Sequence, residues 1–561
     1  MEKRVLAAIA LSIAILLLFR YYEERRLGGA VKQRPPAAKQ VPSQPPPAAV
    51  PAVEPKAEPA VEAPIPAAGE VIPERKVVVE GELYRAVLDN RGAVLTVWEL
   101  KQYKSARGEV FDMIPTAHME ERPFPTSLLF DDPSLTSIAN GQTYSVEVLD
   151  GKDAATITPP ATVVMRLRRG DLSIEKRFQF DAKNYLVDFA AAIQRGGTPV
   201  RARMLLGQDI GPEHEHLINQ SLKLMAAYNL GGKVVREAAP EDENEVRQIS
   251  GTVTWVGLDM QYFSQIAIPA HPFPSFEMQR RPVQAAVLGG EEVKRDLIRL
   301  LVPADGAAAC RIYFGPKVQS FVEAVPGADL RGVIDYGTYL GVLVRPLLAG
   351  LRFINQYTDN YGFAIILLTA VLTLALFPFR LKQMASMKKM QVLQPRIKEI
   401  QERYRKYKKT DPKRAEMNQE IMALYKEHNV NPLGGCLPLI LQMPLLFAFY
   451  QLLAASIELR QAPFFGWITD LAQKDPYYIL PVIMGVTMLI SQKMTPMTPG
   501  TDPTQAKMMM IMPVVFTVMF FNVSSGLNLY FLCSNIFQIA FQKIAERWVG
   551  DKHAISAKSR A

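Results

Sequence analysis

Five windows in the second half of this 561-residue chain carry no charged residue: 361–379, 433–455, 477–491, 508–522 and 526–542. Uncharged apolar runs of this length are hard to place in a water-soluble domain, and each reads as a helix that crosses a bilayer. Their lengths are uneven. The 477–491 and 508–522 windows are 15 residues each, and a 15-residue helix rises only about 22 Å against a hydrocarbon core of about 30 Å. Short spans in one bundle imply a locally thinned bilayer or polar ends that reach inward. The mean hydropathy of +0.03 averages these windows with a charged remainder.

The remainder divides by composition. Residues 5–19 are apolar between Arg4 and Arg20, and the bulky, charged Phe19-Arg20-Tyr21-Tyr22 that follows is a poor cleavage site. An uncleaved anchor over 1–22 is therefore expected, with a cleaved secretory signal as the competing reading. Residues 23–73 hold most of a Pro/Ala-rich tract with no periodic apolar face, an extended linker that cannot bury enough surface to fold. Residues 74–330 alternate apolar and polar positions in runs such as Val77–Val87, Leu172–Phe180, Tyr185–Ala192, Gly251–Leu258 and Ala307–Phe314. They predict an antiparallel β-sandwich with minor helices near 215–230 and 290–302.

Chemistry in this soluble part is sparse. His214 and His216 admit a metal reading, but two solvated loop histidines explain them as well, and Cys310 sits in a strand-like run as a small hydrophobe. Three widely spaced cysteines exclude a disulfide scaffold and a cysteine zinc site. The motifs of serine hydrolases, zinc proteases, dinucleotide binding and P-loop ATPases are absent from the sequence. No enzyme activity, catalytic residue, metal or cofactor is expected.

Basic residues set the expected topology. Residues 380–428 hold 14 of the 64 Lys and Arg residues and account for most of the net charge of +9, so this loop is assigned to the cytoplasm. Alternation then puts both termini inside and residues about 20–337 outside. Within 380–430, Met390, Leu393, Ile397, Ile400, Tyr404 and Tyr407 form a heptad seam, continued by Met417, Ile421, Leu424 and His428. This predicts a helical hairpin whose positive face suits ribosomal RNA, anionic lipid or an acidic partner; a solvated topogenic loop is the plainer account. The localised basicity is no footprint for DNA. Residues 338–357 predict an amphipathic helix lying in the interface, with Arg345 and Arg352 on its polar face, or else a buried helix of the soluble domain.

Polar residues recur inside the windows: Thr369 and Thr373, Gln442 and Gln451, Ser491, Asn522, Asn528, Ser534, Asn535 and Gln538. A single threonine can bond the carbonyl four residues back. The whole set points instead to an aqueous groove or tight interhelical bonding. The windows contain no titratable Asp, Glu, Lys, Arg or His, and no inverted repeat is evident, which disfavours a proton-coupled solute transporter or channel, the alternative function.

The runs NPLGGCLPLILQMPLL (431–446), ELRQAPFFGWITDL (458–471), DPYYILPVIMGVTMLISQKM (475–494) and TDPTQAKMMMIMPVVFTVMFFNVSSGLNLYFLCSN (501–535), with WVGLDMQYF at 255–263, resemble the YidC/Oxa/Alb family of membrane insertases in its Gram-negative form. The resemblance implies a polytopic inner-membrane protein: six spans, the last five (361–379, 433–455, 477–491, 508–522, 526–545) forming an insertase core, a periplasmic β-sandwich and a cytoplasmic tail at 546–561. It implies a groove open to cytoplasm and lipid that inserts and helps fold inner-membrane proteins, alone or with the Sec translocon. The partners it implies are nascent inner-membrane proteins, the Sec translocon, the lipid bilayer and the ribosome, reached by the basic loop and tail. The family's groove positions fall on Thr369, Thr373, Gln442, Met443, Leu446, Met484, Met488, Tyr530 and Phe531. Where the family commonly has Arg this chain has Thr373, and Arg380, seven residues on and on the same helix face, is the candidate replacement charge. Asn522 and Ser524 stand where an aromatic and a Pro are common.

Overall fold

The computed structural model describes residues 72–115, 124–149, 155–212, 223–242, 245–286, 292–337, 340–405, 407, 411–428, 437–494 and 503–558. The expected anchor 1–22, the linker through residue 71, His214, His216 and Cys436 lie outside the described residues. The chain divides into two compact units at Ile334/Asp335.

The first unit is built of strands. A five-stranded sheet orders Val110–Asp112, Val94–Lys104, Tyr84–Asp89, Lys76–Glu80 and Thr156–Ile157, all antiparallel except the last pair. A larger, antiparallel sheet runs from Leu128–Leu129 to Ser145–Val148. Strand Leu172–Phe180 shows why. Leu172, Ile174, Lys176, Phe178 and Phe180 all point inward and are buried, and the alternate residues face out. The sheets pack through aromatic rings. Trp98 of the small sheet stacks on Tyr84 at 4.3 Å and on Phe314 of the large sheet at 4.9 Å, and Phe111 meets Phe263 at 4.1 Å.

Three local expectations are corrected. Where a helix near 290–302 was expected, Glu292–Pro303 is a strand, paired on one side with Phe273–Ala286 and on the other with Arg203–Gly207. Its Leu297, Ile298, Leu300, Leu301 and Val302 are buried on both faces of the strand, which gives a sequence without clean period-two alternation. Within 215–230, Met225–Leu230 is likewise a strand. Val77–Val87 is two strands joined at Gly81–Leu83. Among the described residues the unit also has two short α-helices, α1 (Pro133–Gly141) and α2 (Gln319–Glu323), and a 3-10 turn at Arg331–Val333. Near its end, Asp259 accepts hydrogen bonds from Lys317 Nζ (2.8 Å), Ser264 Oγ (2.6 Å) and Arg236 Nε (3.0 Å). Burial raises the Asp259 pKa, but the Lys317 and Arg236 cations outweigh it and hold the carboxyl below its ordinary value. Arg236 also donates to the carbonyls of Gly332 and Val333, fastening the segment on which the unit ends.

The second unit is helical: α3 (Gly341–Thr358), α4 (Tyr361–Val392), α5 (Gln394–Arg403), α6 (Lys413–Glu427), α7 (Leu437–Ala455), α8 (Ile479–Met494), α9 (Pro503–Phe520) and α10 (Ser525–Lys558). In α3, Val344, Leu347, Leu348 and Leu351 are buried in the apolar core shared with α4 and α7, whereas Leu343 is exposed. Arg352 turns to Glu458, with Nε donating at 3.0 Å. From the end of α4 through α5 and α6 the heptad seam largely closes on itself: Met390, Leu393, Ile397, Ile400, Met417 and Ile421 are buried together, Tyr404 and Leu424 pack half-buried against them, and Tyr425, rather than Tyr407 or His428, completes the cluster. Among the described helices, Tyr361–Leu381 alone is long and apolar enough to cross a bilayer, and the shorter apolar stretches are Gln442–Ala455, Ile479–Met494 and Met510–Phe520.

Candidate functional site

Helix α4 carries Thr369, Leu372, Thr373, Leu376 and Arg380 at spacings of three and four, which puts all five on one face. Opposite stand Gln442 and Leu445 of α7 and Tyr530 and Ser534 of α10. These nine residues line one recess. Its cavity volume is ≈ 10 Å³, room for about one water molecule. The polar seam is thus narrower than the aqueous groove expected from the sequence.

Both threonines are buried and bonded within their own helix: Thr369 Oγ1 donates to Ile365 O at 2.6 Å and Thr373 Oγ1 to Thr369 O at 2.7 Å. Each hydroxyl has spent its proton and presents lone pairs. Gln442 Nε2 donates to Tyr530 Oη at 2.9 Å, a polar link between α7 and α10, and the Tyr530 ring stacks on Phe449 at 4.0 Å. Arg380 is half-buried, and its Nη1 is buried with no hydrogen-bond partner among the described residues.

Five of the expected positions therefore converge: Thr369, Thr373, Arg380, Gln442 and Tyr530. The others do not line the recess. Met484 is fully buried in the apolar core, with Met488 and Phe531 packed against that core, and Met443 and Leu446 are half-buried on α7. Leu372, Leu376, Leu445 and Ser534 were not among the groove positions assigned by resemblance. The three- and four-residue steps from Thr369 and from Tyr530 are the sequence signal that finds Leu372, Leu376 and Ser534.

One end of the bundle is covered by residues 456–478. Asn360 Nδ2 donates to Phe464 O at 3.0 Å, and Gly362 leaves no room for a Cβ against the Phe464 ring. The amides of Ser525 and Gly526, which open α10, donate to Gln473 O (2.7 Å) and Leu471 O (2.8 Å). Asp475 is fully buried and holds the cover together: Oδ1 accepts from Trp467 Nε1 (2.9 Å) and Tyr477 N (3.0 Å), and Oδ2 from Leu480 N (2.7 Å). Through Oδ2 it satisfies one of the free amides in the first turn of α8, from four residues before the helix begins.

The recess gathers hydroxyl, amide and guanidinium groups. It offers hydrogen-bonding groups inside an apolar helix bundle, closed at one end. Two family models match the chain: the YidC periplasmic domain over residues 76–349 and the 60Kd inner membrane protein over 353–552. The membrane protein insertase YidC of Syntrophus aciditrophicus is 33% identical over 97% of this chain and 99% of its own length. That of Geotalea daltonii is 34% identical over 97% and 98%. A crystal structure titled as an active YidC insertase with its first transmembrane domain resolved covers 84% of this chain and 92% of its own, at 17% identity and a TM-score of 0.36. Matched along nearly its whole length at a third identity, the chain belongs to the YidC family of membrane protein insertases.

Proposed function

We propose that this protein inserts nascent membrane proteins into the bacterial inner membrane, taking their apolar segments past the recess between α4, α7 and α10 and releasing them sideways into lipid. The carrying observation is the polar seam lined by Thr369, Thr373, Arg380, Gln442 and Tyr530 inside an otherwise apolar bundle, with residues 456–478 covering one end. An apolar residue gains about 0.3–0.6 kcal/mol on entering the bilayer. The obstacle is the polar flank, whose unpaired groups each cost several kcal/mol in hydrocarbon. A seam that pairs some of those groups lowers that barrier. Opening it breaks the Gln442–Tyr530 hydrogen bond, a net loss of about 1 kcal/mol.

In this reading α4, α7, α8, α9 and α10 span the membrane with the anchor 1–22, α3 lies in the interface, and both termini and the α5–α6 hairpin face the cytoplasm with residues about 20–337 outside. The protein works alone or beside the Sec translocon, and the basic hairpin and tail meet the ribosome. Site-specific photocrosslinkers at Thr373, Met443 and Phe531 test the path. A stalled nascent membrane protein should crosslink at all three; absence of crosslinks at Thr373 in an active sample removes the seam from the route. Arg380 is read as the charge that draws acidic substrate flanks. Arg380→Ala should slow insertion of an acidic-tailed substrate and Thr373→Arg should speed it; no change in either discards that role.

A further inference from the structure

The hydrogen-bonding groups around the recess are not evenly shared. Thr369 and Thr373 have given their protons to their own helix. Tyr530 Oη accepts from Gln442, so its own proton points elsewhere, and no acceptor takes it among the described residues. Ser534 lies one turn further along the same face of α10, and no Asp or Glu lines the recess. The buried Nη1 of Arg380 is a charged donor without an acceptor. Leaving such a donor buried and unpaired is costly. Arg380, Tyr530 and Ser534 thus form a cluster of unspent donors, which is the chemistry of an oxyanion site.

Depth narrows the choice of anion. Arg380 is one residue short of the end of the apolar run Tyr361–Leu381. Twenty-one helical residues cover about 30 Å, the thickness of the hydrocarbon layer, so the guanidinium sits where lipid phosphates begin. The cavity takes about one water-sized atom, which admits a single phosphate oxygen and leaves the headgroup at the mouth. We propose that the mouth of the recess binds the phosphodiester of an anionic phospholipid through Arg380, Tyr530 and Ser534, and that this lipid is the resident occupant until a substrate segment replaces it. A headgroup that carries its own ammonium would bring a second cation towards Arg380, so phosphatidylglycerol is favoured over phosphatidylcholine. The proposal rests on the membrane-spanning arrangement given above.

The test uses the purified full-length chain, stripped of lipid and titrated by native mass spectrometry with phosphatidylglycerol, phosphatidylcholine or inorganic phosphate, without substrate. One phosphatidylglycerol should be retained about tenfold more tightly than phosphatidylcholine. Arg380→Gln, checked for an unchanged helical signal and melting temperature, should weaken phosphatidylglycerol at least about tenfold, and Tyr530→Phe by a smaller factor. Equal retention by wild type and Arg380→Gln overturns the proposal. So does full competition by inorganic phosphate, which would make this a water-exposed anion site. Arg380-dependent binding of an Asp-bearing peptide with Arg380-independent lipid binding assigns the cation to the nascent chain instead. A sample that crosslinks substrate at Thr373 yet ignores the lipid refutes this inference alone and leaves the insertase reading standing.

Discussion

Lys176 is the residue whose surroundings say most about how the first unit holds together. It occupies an inward position of Leu172–Phe180, is fully buried, and donates from Nζ to Gly92 O (2.7 Å), Thr126 O (2.8 Å) and Ala93 O (3.2 Å). The backbone at Gly92, Ala93 and Thr126 has positive φ, so Nζ clasps segments that are strained on their own. Burial pushes its pKa down to about 7. The folded chain then binds fewer protons than the unfolded one between pH 7 and about 10.4, so this group's contribution to stability rises with pH across that window and is lost as pH falls towards 7. Lys176→Met removes the titration and leaves three carbonyls without their donor. Urea unfolding should show a loss of about 3 kcal/mol, and the gap from wild type should widen from pH 7 to pH 9. A parallel pH profile in the two proteins would count against the shifted lysine. The alternation of Leu172, Ile174, Phe178 and Phe180 is legible in the sequence, and parity alone places residue 176 inside. Its three acceptors are not legible, because they come from loops about 50 and 80 residues away.

At the scale of elements, periodicity told helices from strands where one face was wet and failed where both were dry. The heptad seam from Met390 into α6 is readable because its other faces are charged; the strand Glu292–Pro303 reads as a helix because its neighbours bury both sides. In the same way Thr369 and Thr373 stand out as polar residues four apart in an apolar run, but their turning back onto their own carbonyls is a matter of rotamer, which spacing does not encode. Helix α9 lies against α8 where Gly485 meets Thr517, with no room for a Cβ. Gly485→Val should therefore push the two helices apart at a cost of about 1–3 kcal/mol. Faster hydrogen exchange in Pro503–Phe520, with unchanged exchange in the strands of the first unit, is the expected record.

On the scale of the whole molecule, the first unit has its own core, its own aromatic contacts and its own ionic cluster, and the recess is made only of residues after 360. Deletion of residues 75–330 should accordingly leave insertion of a simple single-span substrate largely intact in reconstituted vesicles. Loss of insertion with a correctly folded helical unit would move the machine into the strand-built part. The division between the parts was clear from composition; the narrowness of the seam was not, since it depends on how closely α7 approaches α10. The cover fixed by Asp475 carries a bioenergetic consequence. In the spanning arrangement proposed above, a recess covered at one end gives ions no continuous water path, so vesicles that hold the protein should keep an imposed proton gradient.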